Sequence, residues 1–285
     1  MLIFNKTLEL QNHIHQLKKA GKTIGFVPTM GNLHQGHLSL VKQAKQHADV
    51  VVTSIFVNPL QFGPNEDFDS YPRTEERDQE LLKAESADVL FLPTVDLIYP
   101  QGQEVHTKVE VHSSLTNKLC GASRPTHFLG VTTIVNKLFN IVQPDVAIFG
   151  KKDYQQLMVI KRMASDLCLP INILGGDIVR EDNGLAMSSR NQYLTTEQKD
   201  EASLLQKTLQ SMKQALESGN QDFGAIENNA RQQLEEHGFK VDYLTVCRQF
   251  DLEPASKEDK ELVIAAAAWL GQPRLLDNLE VNLSS

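Results

Sequence analysis

The chain has 285 residues, 41% hydrophobic and 22% charged, ordinary values that leave room for one large domain or two moderate ones. Its formal net charge of −8 at pH 7 argues against a nucleic-acid partner, which needs a basic face, but allows a small anion in a local basic pocket. No apolar run reaches the roughly 18 residues of a membrane span, so no membrane partner is expected. The N-terminal MLIFNKTLELQNHIHQLKK is too polar for a secretory signal. Cys120, Cys168 and Cys247 are too widely spaced for a zinc pair and odd in number for a disulfide framework, which points to a reducing cytoplasm.

In chain order, TIGFV (23–27) reads as a strand and HLSLVKQAKQHA (37–48) as a helix with Leu38, Val41, Ala44 and Ala48 near one face. DVVVTSIFVN (49–58) is a continuous β-branched and apolar run, as in a strand covered on both faces. A long turn-rich segment, NPLQFGPNEDFDSYPRT, follows. TEERDQELLKAES is a helix with acids in its first turn, where they suit the dipole. DVLFL is a strand, and VTTIVNKLFNIV a helix striped by Val131, Ile134, Val135, Leu138 and Val142. DVAIFG is a strand, DYQQLMVIKRMASDL a helix and INILGG a strand. The pattern then changes. EASLLQKTLQSMKQALESG is an amphipathic helix on Ala202, Leu205, Leu209, Met212 and Leu216. FGAIENNARQQLEEHG is a second helix ending at Gly238, and VDYLTVC and ELVIAAAAWL are strands.

Alternation of buried-type strands with helices predicts an α/β fold, a Rossmann-like doubly wound parallel sheet over residues 1–181. Helices followed by strands predict a smaller α+β C-terminal domain over residues 182–285. In such sheets ligands bind at the carboxyl ends of the strands. His34, His37, Asn58 and Gly150 to Asp153 all follow strands at that end and are expected to meet in one crevice.

VPTMGNLHQGH (27–37) is the densest motif. Two imidazoles at a strand–helix junction suit a metal, a phosphate or a plain helix cap. No third Cys, His or carboxylate lies nearby at a ligand spacing, so no protein metal site is assigned. The free amides and positive dipole end of the helix favour phosphate, and Gly31 and Gly36 allow close backbone approach. Gly21-Lys22-Thr23 mimics the end of a phosphate-binding P-loop, but position 16 is Gln and the helix precedes the strand.

His34-Gln35-Gly36-His37 resembles the His-x-Gly-His signature of the nucleotidylyltransferases and class I aminoacyl-tRNA synthetases. Met187-Ser188-Ser189-Arg190 resembles the mobile KMSKS-type loop of the same superfamily. Together with SIFVNPLQF, YPRT, GASRPTHF, KLFNIVQPD, GKKDYQQL and NGLAMSSRN, the chain resembles the pantothenate synthetase family from about residue 20 to the C-terminal LLDN. That resemblance implies ATP-dependent condensation of (R)-pantoate with β-alanine to pantothenate, AMP and diphosphate, through a pantoyl adenylate. It implies Mg²⁺ with the ATP, a cytoplasmic homodimer, and a second domain acting as a lid hinged around Arg180 to Gly184.

The resemblance also implies site residues. His34 and His37 hold the triphosphate, His37 being the residue that the family labels a proton donor. Lys152, Ser188, Ser189 and Arg190 complete the catalytic set. Met30, Gly31, Gly150, Asp153, Val179 and Met187 join them around ATP, Val179 through its backbone. Gln61 and Gln156 bind pantoate, with Asn58 orienting the pocket. A phosphorylated acceptor would call for extra Arg or Lys there. Arg124 and His127 match a further patch near the site. On the residues alone, Asp153 is also a candidate helix cap and Ser188-Ser189-Arg190 a solvated loop with a serine cap. Family members often carry Gly-Glu-Lys-Asp at 150–153. Lys151 replaces the Glu and is expected to add local positive charge.

Overall fold

The structure, a computed structural model, describes residues 1–64 and 66–283. Asn65, inside the expected turn-rich segment, and Ser284 and Ser285, at the end of the expected C-terminal domain, lie outside the described residues. The chain divides into two units, Met1–Gly150 with Val159–Asp177, and Lys151–Met158 with Ile178–Ser285.

The first unit holds a parallel sheet of β1 (Leu2–Phe4), β2 (Ile24–Thr29), β3 (Val50–Ile55), β4 (Val89–Phe91), β5 (Val146–Gly150) and β6 (Asn172–Gly176), in the order β1-β4-β3-β2-β5-β6. Between the strands run α1 (Thr7–Lys19), α2 (Gln35–His47), α3 (Glu75–Ala84), the four-residue helices α4 (Val95–Ile98), α5 (Ser113–Thr116) and α6 (Cys120–Ser123), then α7 (His127–Val142) and the later part of α8 (Tyr154–Asp166), whose first turns, to Met158, belong to the second unit. From β2 the chain winds outward through β3 and β4, then returns to β2's other side for β5 and β6. The order therefore reverses between β2 and β5, and ligands of such sheets bind at the carboxyl ends beside that reversal.

The expected apolar stripes are the buried ones: Leu38, Val41 and Ala44 on α2, and Val131, Ile134, Val135, Leu138 and Val142 on α7. At Gly25 of β2 an added Cβ would sit 3.0 Å from the Cβ of Ala48, the C-cap of α2, and 3.5 Å from that of Ala44, so glycine there eases the close approach of the helix. A device that pattern reading did not register orders the opposite, amino end of the sheet. Aspartates precede three strands, and each accepts an amide of a neighbouring strand or its leading residue. Asp49 takes Thr23 N–H at 2.9 Å, Asp88 takes Val51 N–H at 2.8 Å, and Asp145 takes Ile24 N–H at 2.7 Å. They satisfy donors that the staggered strand starts leave over.

In the second unit α9 (Thr196–Glu217) and α10 (Phe223–Glu236) precede an antiparallel sheet of β7 (Lys240–Arg248), β8 (Glu261–Trp269) and β9 (Arg274–Asn282), ordered β7-β8-β9. The core joins Ala202, Leu205, Leu209, Met212 and Leu216 of α9 to Leu244, Val246, Leu262, Ile264 and Leu275 of the sheet. α9 begins five residues before the expected stretch at Glu201, because Thr195 and Gln198 form a reciprocal capping box.

Two strands were absent from the pattern reading. β1 is only three residues long, with Leu2 and Ile3 exposed. β9 hides behind consecutive polar residues, Asp277 and Asn278, both buried. No alternation survives that pair, and their burial is explained by partners far away in sequence.

Candidate active site

In the first unit the expected site residues lie at the carboxyl edge beside the reversal. β2 ends at Thr29, and the chain turns through Gly31 (φ +80°) and Asn32 (φ +49°), two successive left-handed residues. α2 then starts at Gln35 rather than near His37, with His34 as its N-cap. The His34 Nδ1 accepts Gly36 N–H at 3.1 Å, and the His37 Nδ1 accepts His34 N–H at 3.3 Å, an imidazole version of the capping box. The rings lie 4.1 Å apart between centroids, tilted by 44°. With both Nδ1 atoms accepting, the neutral rings carry their proton on Nε2, so each offers an N–H donor there. The cap reading is therefore seen in both rings, each through its Nδ1 edge.

β3 leads into Asn58, 1% exposed, which N-caps the 3-10 turn Pro59–Gln61. Asn58 Oδ1 accepts the Tyr99 hydroxyl at 2.7 Å, and its Nδ2 donates to Gln61 Oε1 at 3.2 Å and to the Gly130 carbonyl at 3.1 Å. Gln61 Nε2 in turn donates to Met30 Sδ at 3.1 Å. The Gln61 carbonyl accepts from Arg124 Nη2 at 3.1 Å and faces His127 Nδ1 at 2.9 Å, which carries the proton in that contact. Arg124 is oriented by a paired contact with Glu66, both bonds 2.6 Å. Burial alone would raise the Glu66 carboxyl, but the hydrogen bond and charge of Arg124 hold it below the usual range. Met30, Gln61 and Asn58 are therefore one connected group. Gly150, the last residue of β5, ends the strand next to β2.

The second unit holds the remaining expected residues. Lys151–Asp153 form a 3-10 turn that runs into α8, with Gln156 half-buried in its first turns. Asn278 Nδ2 donates to the carbonyls of Lys151 and Lys152 at 2.8 and 2.9 Å. Lys152 lies 3.9 Å from the Asp153 carboxylate. The positive charge expected from Lys151 is offset by an ion pair, because its Nζ sits 2.9 Å from Glu280 Oε2. Glu280 also accepts the Tyr154 hydroxyl at 3.2 Å.

Val179 and Met187 face each other across a hairpin, Met187 N–H donating to the Val179 carbonyl at 2.9 Å. The segment Arg180 to Gly184, where the hinge is expected, is a turn braced within the second unit. Arg180 makes a two-pronged pair with Asp277 at 2.7 and 2.9 Å and also donates to the Gly184 carbonyl at 3.0 Å. Gly184 supplies the left-handed corner at φ +96°. Ser188 caps the 3-10 turn Ser189–Tyr193, accepting Arg190 N–H at 3.2 Å, while Ser189 and Arg190 are half-buried. Lys152, Ser188, Asn191 and Asp277 line one small recess of this unit.

Pattern reading missed Tyr99, Asp78, Asp277, Asn278 and Glu280. Each is an ordinary residue in its own stretch, and a partner stands 41 to 129 positions away. Of the other histidines, His112 caps α5 and His106 lies beside the Tyr99 ring. Among the described residues no group of three or more His, Cys, Asp or Glu side chains is arranged to hold a metal ion. Nor is any helix there long and apolar enough to cross a membrane.

A Rossmann-like sheet with a histidine-capped helix at its reversal places the chain among the α/β proteins of the His-x-Gly-His type. Within that class it belongs to the pantoate–β-alanine ligase family, which it matches over residues 2–280. A pantothenate synthetase of Shewanella loihica is 57% identical over 270 residues, covering 95% of each chain. One from Hahella chejuensis is 54% identical over 283 residues, covering 99% of this chain and 100% of the other. Among solved structures, pantothenate synthetase from Thermus thermophilus superposes with a TM-score of 0.93 at 42% identity, covering 99% of this chain and 100% of that one. The pantoate–β-alanine ligase of Francisella tularensis, in complex with β,γ-ATP and β-alanine, gives 0.82 at 35% identity, covering 98% and 97%.

Proposed function

We propose that the protein condenses (R)-pantoate with β-alanine to give pantothenate, converting ATP to AMP and diphosphate. The observation that carries the reading is the pair of imidazoles at the amide end of α2, beside the sheet reversal, in a chain that matches the ligase family almost end to end.

In the first step a pantoate carboxylate oxygen attacks the α-phosphorus of ATP. A new O–P bond forms, the bond to the β-phosphate oxygen breaks, and diphosphate leaves. In the second step the β-alanine amine, having lost a proton, attacks the acyl carbon and expels AMP. Little covalent chemistry falls to the protein in the first step, so positioning and charge stabilisation dominate. His34 and His37 donate from Nε2 to the phosphate oxygens, and the positive dipole end of α2 adds to the same field. His37 acts first as a charge stabiliser, since diphosphate is already a good leaving group. Lys152, Ser188, Ser189 and Arg190 serve the phosphates, with Arg190 as the planar fork. Met30, Gly31, Gly150, Asp153, Val179 and Met187 surround the nucleotide.

Gln61 and Gln156 hold pantoate through amides that both donate and accept, and Asn58 keeps Gln61 in place. Mg²⁺ is expected with ATP, held mostly through phosphate oxygens and water rather than by a protein cage. When bound it neutralises phosphate charge. Residues 1–181 act as the catalytic domain and 182–285 as a lid over the nucleotide. The chain works as a cytoplasmic homodimer without a nucleic-acid partner, which sedimentation at varied concentration tests.

The deciding experiment mixes protein, ATP, Mg²⁺ and pantoate without β-alanine and follows labelled diphosphate into ATP. Pantoate-dependent exchange, with AMP accumulating only after the amine is added, is the expected result. No exchange and no AMP would refute the ligase reading.

A further inference from the structure

The first turn of α3 carries three acids. Glu75 and Glu76 are exposed, as dipole-complementing residues are. Asp78 is 1% exposed, and a carboxylate so buried must be paired or fully hydrogen-bonded. Its donors come from the turn that carries the two histidines. Oδ2 accepts Asn32 N–H at 2.8 Å, Oδ1 accepts Leu33 N–H at 2.8 Å, and Oδ1 also accepts the Thr74 hydroxyl at 3.1 Å. The Asn32 amide belongs to a tight turn of two successive left-handed residues. Gly31 and Asn32 are both left-handed, and Asn32 is not a glycine. The carboxylate also crowds the turn from one side: a Cβ at Gly31 would lie 3.1 Å from Asp78 Oδ2 and 3.0 Å from Ile55 Cγ2.

We infer that Asp78 is a positioning residue for the adenylation step. It clamps the backbone at Asn32 and Leu33, and so sets where the His34 cap, and through it the His37 ring, present their Nε2 donors. The inference rests on the ligase reading above. Asp78 touches no substrate; it acts through the turn. Without it the amides of Asn32 and Leu33 lose their acceptor, and the Thr74 hydroxyl, 3.4 Å from Asn32 Oδ1, is a weak substitute for two charge-assisted bonds.

The test compares the two half-reactions in Asp78→Asn, whose amide cannot accept on both sides. Diphosphate exchange with ATP and pantoate is expected to slow about 100-fold, the scale of an ångström-sized misplacement of catalytic groups. Amide formation from preformed pantoyl adenylate and β-alanine should stay within about threefold of wild type, because it does not use the triphosphate. Adding Asn32→Gly, which adopts the left-handed turn freely, should restore about tenfold of the lost exchange. If Asp78→Asn does not accumulate folded, Thr74→Val removes one of the three donors and should slow exchange about threefold with the same split. An equal loss in both half-reactions, or none in either, overturns the inference. A wild-type protein that shows no exchange strikes the ligase reading instead. The His34 and His37 ring resonances then decide the positioning claim: they must move in the variant while those of His13 and His237 stay, and unmoved rings overturn it.

Discussion

Gly130 sits inside α7 with the Leu60–Gln61 backbone pressed against it. A Cβ there would lie 2.2 Å from the Leu60 carbonyl oxygen, 2.5 Å from its carbon and 2.7 Å from Gln61 N. All three are backbone atoms, so no side chain can swing aside. Ordinary contact begins near 3.4 Å, and in a close-packed interior the 58–61 turn must retreat by about 1 Å in Gly130→Ala. Overpacking of this kind costs about 1–3 kcal/mol. Alanine in a helix interior returns about 1 kcal/mol of propensity, so the net stability loss is about 0–2 kcal/mol and the variant folds. Function should suffer more, since the turn carries Gln61 and its bonds to Asn58 and Met30. With Gln61 on pantoate, KM for pantoate is expected to rise about tenfold, or about 1.4 kcal/mol, while KM for ATP stays within about twofold. Steady-state kinetics at saturating ATP, beside a urea melt, read both. A folded variant with unchanged KM for pantoate would refute the reasoning, as would an equal rise for ATP.

Other expectations follow from the second unit and from two buried phenols. Arg180→Ala leaves the Asp277 carboxylate, 3% exposed, without its cation, and should cost about 3–5 kcal/mol by urea unfolding; a loss under about 1 kcal/mol would show that water reaches that carboxylate. Arg190→Ala should slow single-turnover adenylate formation while pantoate binding is retained, and an unchanged rate would remove Arg190 from the phosphates. Burial raises both Tyr99 and Tyr154 above the usual phenol value of 10.0, with Glu280 adding to the shift at Tyr154. Their folded-state pKa values exceed the unfolded ones, so the stability they contribute is whole below pH 10 and declines as pH rises above it. The expected slope is about 1.4 kcal/mol per pH unit for each tyrosine, and Tyr154→Phe should remove its share from alkaline unfolding curves.

Periodicity and motif spacing determined much of this protein. The strands β2 to β6, the stripes of α2, α7 and α9, the parallel sheet and the histidine turn are all legible in the chain. Each rests on contacts within a few residues or on the burial of one face. Family resemblance added the candidate residues, because a lone Gln61 or Gln156 looks like any surface glutamine. Tertiary structure alone decided what holds these residues still. The clamp of Asp78 on Asn32, the Tyr99 bond to Asn58, the Arg180 pair with Asp277 and the Glu280 partner of Lys151 join residues from separate elements. β9 stayed hidden for the same reason, since Asp277 and Asn278 break the alternation and find their partners at Arg180, Lys151 and Lys152. A local pattern records which face of an element avoids water. It does not record which distant donor meets a buried carboxylate, because that pairing exists only after the elements have packed.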